Sequence, residues 1–290
     1  MEYKPLGNSG VNIPVLAMGT WGIGGYETRD ETYDRKWVQT LKKGIELGMV
    51  LIDTAEIYGE GHAEEIVGKT IRGRRDEVFI ATKVSPNHLS YRDVIKSAEA
   101  SLKRLKIDCI DLYYIHWPNW NIPISETMRA MEHLVQEGRV RFIGVSNFSV
   151  RDMKEARRAM KREEIVSNQV KYSLLDRGIE REILPYCRQH KITVSAWASL
   201  EKGKVLKVGG KAGATLRQIA KGHGKTVVQV VLNWLISQPN VIPIVKTAKI
   251  SHLKENMGAL GWRLPEEDLR EISEVFGYFA CWEPLITEKI

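Results

Sequence analysis

Short, almost wholly apolar runs alternate with longer amphipathic ones along this chain. The short runs cover residues 16–20, 49–53, 78–83, 110–116, 140–146, 165–170, 192–197 and 241–245. Each is rich in β-branched or aromatic residues, as parallel strands buried on both faces should be. Helical stretches such as 36–47, 92–105 and 126–137 lie between them. In the second, Val94, Ile95, Ala98, Leu102 and Leu105 form one stripe. Gly48 and Gly138 stand where the first and third helices should stop. Eight strand–helix units in about 250 residues predict an α/β fold, a single (β/α)8 TIM barrel, rather than an open doubly wound sheet. Pro243, inside the eighth run, fits a central strand poorly.

Residues 1–15, with the turn Gly7-Asn8-Ser9-Gly10, read as a β-hairpin before the barrel at 16–262. Residues 263–290 read as a C-terminal helix and tail, opened by Pro265 and a run of acids. No linker or low-complexity stretch divides the 290 residues, so one domain is expected. The most apolar run, Val227 to Ile236, is broken by Gln229 and Asn233. It falls short of the roughly 18 apolar residues of a membrane span. No secretory signal is visible at the N-terminus. Cys109, Cys187 and Cys281 show no C-x-x-C spacing and read as reduced, buried thiols. A soluble, cytoplasmic, monomeric protein is the expectation.

The 43 basic and 36 acidic residues leave a net charge of +7. In the densest basic stretch Arg151, Lys154, Arg158 and Lys161 are interleaved with Asp152, Glu155, Glu163 and Glu164, as on a solvated helix face. Nucleic-acid and membrane partners are therefore not expected, whereas a mild positive field suits a phosphorylated small molecule. Gly22-Ile23-Gly24-Gly25-Tyr26-Glu27 lacks the third glycine of a dinucleotide fingerprint. Gly222-His223-Gly224-Lys225-Thr226 has Ile219 where a phosphate loop needs its first glycine, and reads as a helix end. The histidines show no metal-ligand spacing, and no metal site is expected.

In such a barrel, chemistry gathers at the C-terminal ends of the strands. Run two ends in Asp53, run three in Lys83 and run four in His116, and Tyr58 follows five residues after Asp53. A free tyrosine titrates near ~10, and a lysine cation beside its oxygen should lower that value. Asp53 would keep Lys83 charged, and neutral His116 could donate to a carbonyl oxygen. The set is suited to protonating an oxygen while its carbon receives a nucleophile or hydride.

Asp53-Thr-Ala-Glu-Ile-Tyr58-Gly, Lys83 in Ile-Ala-Thr-Lys-Val, and His116 in Tyr-Tyr-Ile-His-Trp resemble the catalytic tetrad of the aldo-keto reductases. The resemblance continues through Gly144-Val-Ser146-Asn147-Phe148, Asn168-Gln169-Val-Lys-Tyr172 and Ile244-Val-Lys246-Thr247 to Glu255-Asn256. It implies a barrel that binds NADP(H) by preference, with NAD(H) possible, and reduces an aldehyde, ketone or sugar to an alcohol. Tyr58 would be the proton donor. It also implies cofactor contacts from Gly19, Thr20, Trp21, Asp53, Ser199 and Leu200. Ser146, Asn147 and Gln169 would hold the nicotinamide carboxamide, and Trp197 replaces the family's usual stacking tyrosine. Lys246, Thr247, Glu255 and Asn256 would meet the adenosine end. His252 stands where the family usually has a phosphate-gripping arginine, which implies a weaker preference for NADPH over NADH. Trp21, Trp117 and Trp120, with Tyr58 and His116, are expected to line an open, aromatic substrate pocket. Two other readings fit the same residues: a redox-sensing cofactor-binding module, and a Schiff-base lyase with Lys83 as nucleophile.

Overall fold

The computed structural model describes residues 1–246 and 248–277. Thr247, Cys281 and the rest of the expected tail lie outside the described residues. The hairpin pairs β1 (Tyr3–Pro5) with β2 (Asn12–Pro14). Eight parallel strands then close into a barrel. They are β3 (Ala17–Gly19), β4 (Leu51–Asp53), β5 (Phe79–Val84), β6 (Ile110–Ile115), β7 (Val140–Ser146), β8 (Ile165–Lys171), β9 (Thr193–Trp197) and β10 (Val241–Lys246). β10 completes the ring against β3, with Lys246 opposite Gly19.

The connecting helices begin where the sequence offers caps. The Ser90 side chain accepts from the Asp93 amide to start α3 (Tyr91–Leu105). Ser149 with Asp152, and Thr226 with Gln229, form reciprocal capping pairs at α5 (Val150–Ala159) and α8 (Val227–Ser237). The segment around Gly222 is the end of α7 (Gly210–Gly222), as expected. None of the described helices is long and apolar enough to cross a membrane. The sequence-based objection to Pro243 dissolves in the register. β10 pairs with β9 through Val241–Pro243 and with β3 through Ile244–Lys246, so the proline falls where pairing changes neighbours. Cys187 is buried, but Cys109 is only half-buried because it precedes β6 on a loop, which corrects the expectation for that thiol.

Side-chain alternation along the strands divides the core in two. Leu51, Phe79, Ala81, Leu112, Tyr114 and Ile242 pack inside the barrel with Leu6 and Ile13 of the hairpin. Ile52, Ile80, Tyr113, Ile143 and Val145 belong to the larger cluster shared with the helices. The hairpin closes the N-terminal end of the barrel. Gly7 donates its amide to Thr193 Oγ1 at 2.8 Å, and the Lys4 ammonium donates to the carbonyls of Ile236, Gln238 and Val241.

Inside the barrel, the Tyr114 hydroxyl donates to Ser167 Oγ at 2.8 Å and lies 3.0 Å from Ser195 Oγ. Burial pushes its pKa up to about 12. A Cβ at Gly144 would come within 2.5 Å of the Tyr114 ring, so only glycine leaves room for this phenol. Gly144→Ala should therefore lower stability by about 1–3 kcal/mol. A reduced urea midpoint with an unchanged slope is the expected result. An unchanged midpoint would show that the ring can step aside.

Candidate active site

The inward series of each strand continues upward into polar residues at the C-terminal rim. On β4 Leu51 is followed by Asp53, on β5 Phe79 and Ala81 by Lys83, and on β6 Leu112 and Tyr114 by His116. Alternation by twos thus delivers an acid, a base and an imidazole to one opening. Tyr58 arrives from the loop after β4. That loop is fixed by Gly59, at φ +54°, where a Cβ would lie 2.1 Å from the Gly24 carbonyl oxygen. Only glycine lets the two loops meet so closely.

Lys83 has no solvent exposure. Its ammonium donates to Asp53 Oδ1 at 2.7 Å, to the Thr54 carbonyl at 2.8 Å and to Tyr58 Oη at 3.2 Å. Burial works to lower its pKa, but the charge of Asp53 and the bonds to Asp53 and Tyr58 prevail and raise it. Asp53 Oδ2 accepts in turn from Gln169 Nε2 at 2.7 Å. The tetrad is therefore assembled as the sequence suggests, with one correction. Burial raises the Tyr58 pKa above 10, and the nearby Lys83 cation offsets only part of that rise. The resting group is a neutral phenol whose oxygen is polarised by an ammonium.

His116 packs against the Tyr58 ring with centroids 5.7 Å apart, and Trp21 meets the same ring edge-on at 4.9 Å. The imidazole is buried, and among the described residues its Nδ1 has no hydrogen-bond partner. Burial, with a smaller contribution from Lys83, pushes its pKa down to about 3. It is neutral, as the sequence reading requires.

The expected carboxamide residues form one linked group beside the tetrad. Asn147 sits at φ +62°, a conformation asparagine tolerates better than most residues. Its Nδ2 donates to the His116 carbonyl at 3.1 Å and to Ser146 Oγ at 3.0 Å. The Trp197 indole donates to Asn147 Oδ1 at 3.0 Å, a bond that residue type alone did not suggest. Thr20 Oγ1 donates to the Asp53 carbonyl at 3.0 Å, tying β3 to the site.

Other expected residues lie further out. Ser199 is buried and donates to the Ala196 carbonyl at 2.8 Å, while neighbouring Leu200 packs against the core. On α9 (Ile250–Met257) His252 is exposed, Glu255 half-buried and Asn256 buried. Trp117 is 46% exposed, and Trp120 is 80% exposed with its indole nitrogen 3.3 Å from Asp152 Oδ1. The aromatic contacts on Tyr58 come instead from Trp21 and His116. Sequence reasoning missed Tyr26, whose hydroxyl accepts from Lys246 Nζ at 3.0 Å. Among the described residues no cluster of His, Cys, Asp and Glu could hold a metal.

Residues 15–276 match the Aldo/keto reductase family. Methylglyoxal reductase YeaE of Escherichia coli (strain K12) is 37% identical over 277 residues, covering 95% of this chain and 96% of that protein. A thermostable aldo-keto reductase crystallised with the inhibitor epalrestat superposes with a TM-score of 0.91 at 45% identity, over 96% of this chain and all of that one. An aldo/keto reductase from Klebsiella pneumoniae, solved with NADP and acetate, has a TM-score of 0.85 at 37% identity, over 95% and 96% of the two chains.

The depressed His116 pKa has a consequence for stability. Between about pH 3 and 6.5 the unfolded chain binds a proton at this histidine that the native state refuses. Stability should therefore fall as pH falls through that window, with a slope of up to about 1.4 kcal/mol per pH unit from this group. His116→Gln should remove that part of the slope in denaturation series between roughly pH 4 and 7. An undiminished slope would mean that native His116 takes up the proton.

Proposed function

Because the chain belongs to the aldo/keto reductase family, we propose that its tetrad reduces small aldehydes, α-oxoaldehydes such as methylglyoxal foremost, with Tyr58 as proton donor. The observation that carries this reading is the fully buried Lys83 ammonium, bonded at once to Asp53 and to the Tyr58 oxygen. The protein is an NADPH-dependent oxidoreductase.

The donor set fits the cofactor. Asp53 can only accept, so the Gln169 amide must turn Nε2 toward it and keep Oε1 for a carboxamide N–H. Asn147 has its oxygen engaged by Trp197 and its two amino protons by the His116 carbonyl and Ser146 Oγ, so it would donate to a carboxamide oxygen by exchanging one of these bonds. When bound, the reduced nicotinamide supplies the hydride that reaches the carbonyl carbon.

The chain's own residues manage the oxygen. Neutral His116 donates a hydrogen bond that orients the carbonyl and draws charge onto its oxygen. As that oxygen becomes an alkoxide, Tyr58 transfers its proton to it. Alkoxides are far more basic than phenolates, so a phenol held above its ordinary pKa still gives up its proton readily. Lys83 stabilises the phenolate left behind, and Asp53 keeps Lys83 charged throughout. The raised Tyr58 pKa favours reduction near neutrality, because the reverse reaction needs the phenolate as base.

The lyase alternative is opposed by the geometry. A Schiff base requires a free amine, whereas Lys83 is buried, protonated and engaged with three acceptors. No observation favours the redox-sensing module. The adenosine end is assigned to Lys246, His252 and Asn256 by resemblance and by their succession from β10 into α9.

Loss of NADPH absorbance should accompany addition of methylglyoxal, with slower consumption of sugars. Absence of turnover across a panel of aldehydes, ketones and sugars would contradict the proposal. Tyr58→Phe should lower kcat by about 10²–10⁴-fold while NADPH still binds. Lys83→Met should do comparable damage, and the double variant should be little worse, since the pair acts as one unit. Near-normal turnover by Tyr58→Phe would end the assignment.

A further inference from the structure

The stretch from Gly22 to Tyr26 fails as a dinucleotide fingerprint, yet it ends in the phenol that meets Lys246. The two residues come from adjacent places on the rim, since the strand ending at Lys246 pairs with the one ending at Gly19. Lys246 donates to Tyr26 Oη at 3.0 Å. Gly22 lies between them at φ +77°, and a Cβ there would come 2.5 Å from the Tyr26 ring and 2.7 Å from Lys246 Nζ. Glycine is what keeps this path open. The Tyr26 ring meets Trp21 edge-on at 5.5 Å, and Trp21 meets Tyr58 at 4.9 Å, so the phenol is held in register with the proton donor. Tyr26 is 54% exposed and Lys246 is also exposed, leaving both open to a ligand. Among the described residues no carboxylate forms an ion pair with Lys246.

We infer that Tyr26 and Lys246 together seat the phosphomonoester on the cofactor's adenosine, and that Tyr26 is a specificity residue for NADPH over NADH. The inference rests on the reading that places the adenosine end at Lys246. Tyr26 accepts from Lys246, so its own proton remains available to a second acceptor, and among the described residues the ammonium donates to nothing else. An anion touching the ammonium can therefore also receive the phenolic O–H. The Lys246 bond and charge, with a further contribution from Lys202, lower the Tyr26 pKa. A phenol polarised in this way is a stronger donor to phosphate. Where the family usually places an arginine, His252 offers no two-pronged grip, and Tyr26 supplies a second donor beside Lys246. From Tyr26, the hydroxyl that NADH carries at this position would receive only a neutral hydrogen bond.

Dissociation constants for NADPH, NADH and adenosine 2′,5′-bisphosphate, measured calorimetrically on the intact chain, test this. Tyr26→Phe keeps the ring and its packing on Trp21 and removes only the hydroxyl. It should weaken NADPH and the bisphosphate by about tenfold, with NADH held within about twofold. Unchanged NADPH affinity, or equal weakening of NADPH and NADH, would overturn the proposal. Lys246→Met separates the two levels of inference. If it abolishes the NADPH preference while Tyr26→Phe leaves that preference unchanged, the role of Tyr26 alone fails. If Lys246→Met leaves the preference unchanged, the placement of the adenosine end fails and the Tyr26 role falls with it.

Discussion

A lysine ammonium with no exposure to water stays charged only if the protein replaces its hydration. Three acceptors do this for Lys83, and one of them, Asp53, carries the compensating charge. Removing the acid would leave a buried cation unbalanced, and removing the lysine would strand a buried carboxylate. The rest of the site follows from this pair. Gln169 is turned by the second oxygen of Asp53, Tyr58 is polarised by the third proton of Lys83, and His116 is kept neutral partly by the same cation. A single buried ion pair therefore sets the orientation of the groups that meet the cofactor and the charge of those that meet the substrate.

The barrel makes such a pair possible by alternation. Residues two apart on a strand share the interior, so β4, β5 and β6 fill the barrel with bulky or apolar residues and then give their next inward position to chemistry. Leu51 and Asp53, Ala81 and Lys83, and Tyr114 and His116 are such steps. Below them, Tyr114 bridges Ser167 and Ser195 in the space Gly144 leaves. Closure of the N-terminal end by the hairpin leaves the opposite rim as the open end.

The strands were legible because parallel strands buried on both faces announce themselves as short apolar runs, and the tetrad because its members end such runs. What could not be read depends on tertiary quantities. The sign of the Tyr58 shift is a balance between burial and the Lys83 charge, and spacing reveals only the charge. The bond from Gln169 to Asp53 spans 116 positions and that from Lys246 to Tyr26 spans 220, so neither leaves a local pattern. Pro243 read as a flaw because sequence does not disclose where a strand changes partners. Cys109 read as buried from its apolar neighbours, whereas its place just before β6 leaves it half-covered.

Burial outweighs the lysine charge at Tyr58, so the phenol rests as a neutral acid. The pH dependence of the two directions of reaction, followed on one preparation, tests this most directly. Carbonyl reduction with saturating NADPH should be nearly flat from about pH 6 to 9, because the phenol stays protonated across that range. Oxidation of the product alcohol with NADP should rise about tenfold per pH unit over the same range without levelling off, because it draws on a scarce phenolate. An oxidation rate that reaches its plateau near pH 7, with reduction declining above it, would show a phenol poised at neutrality and contradict the account.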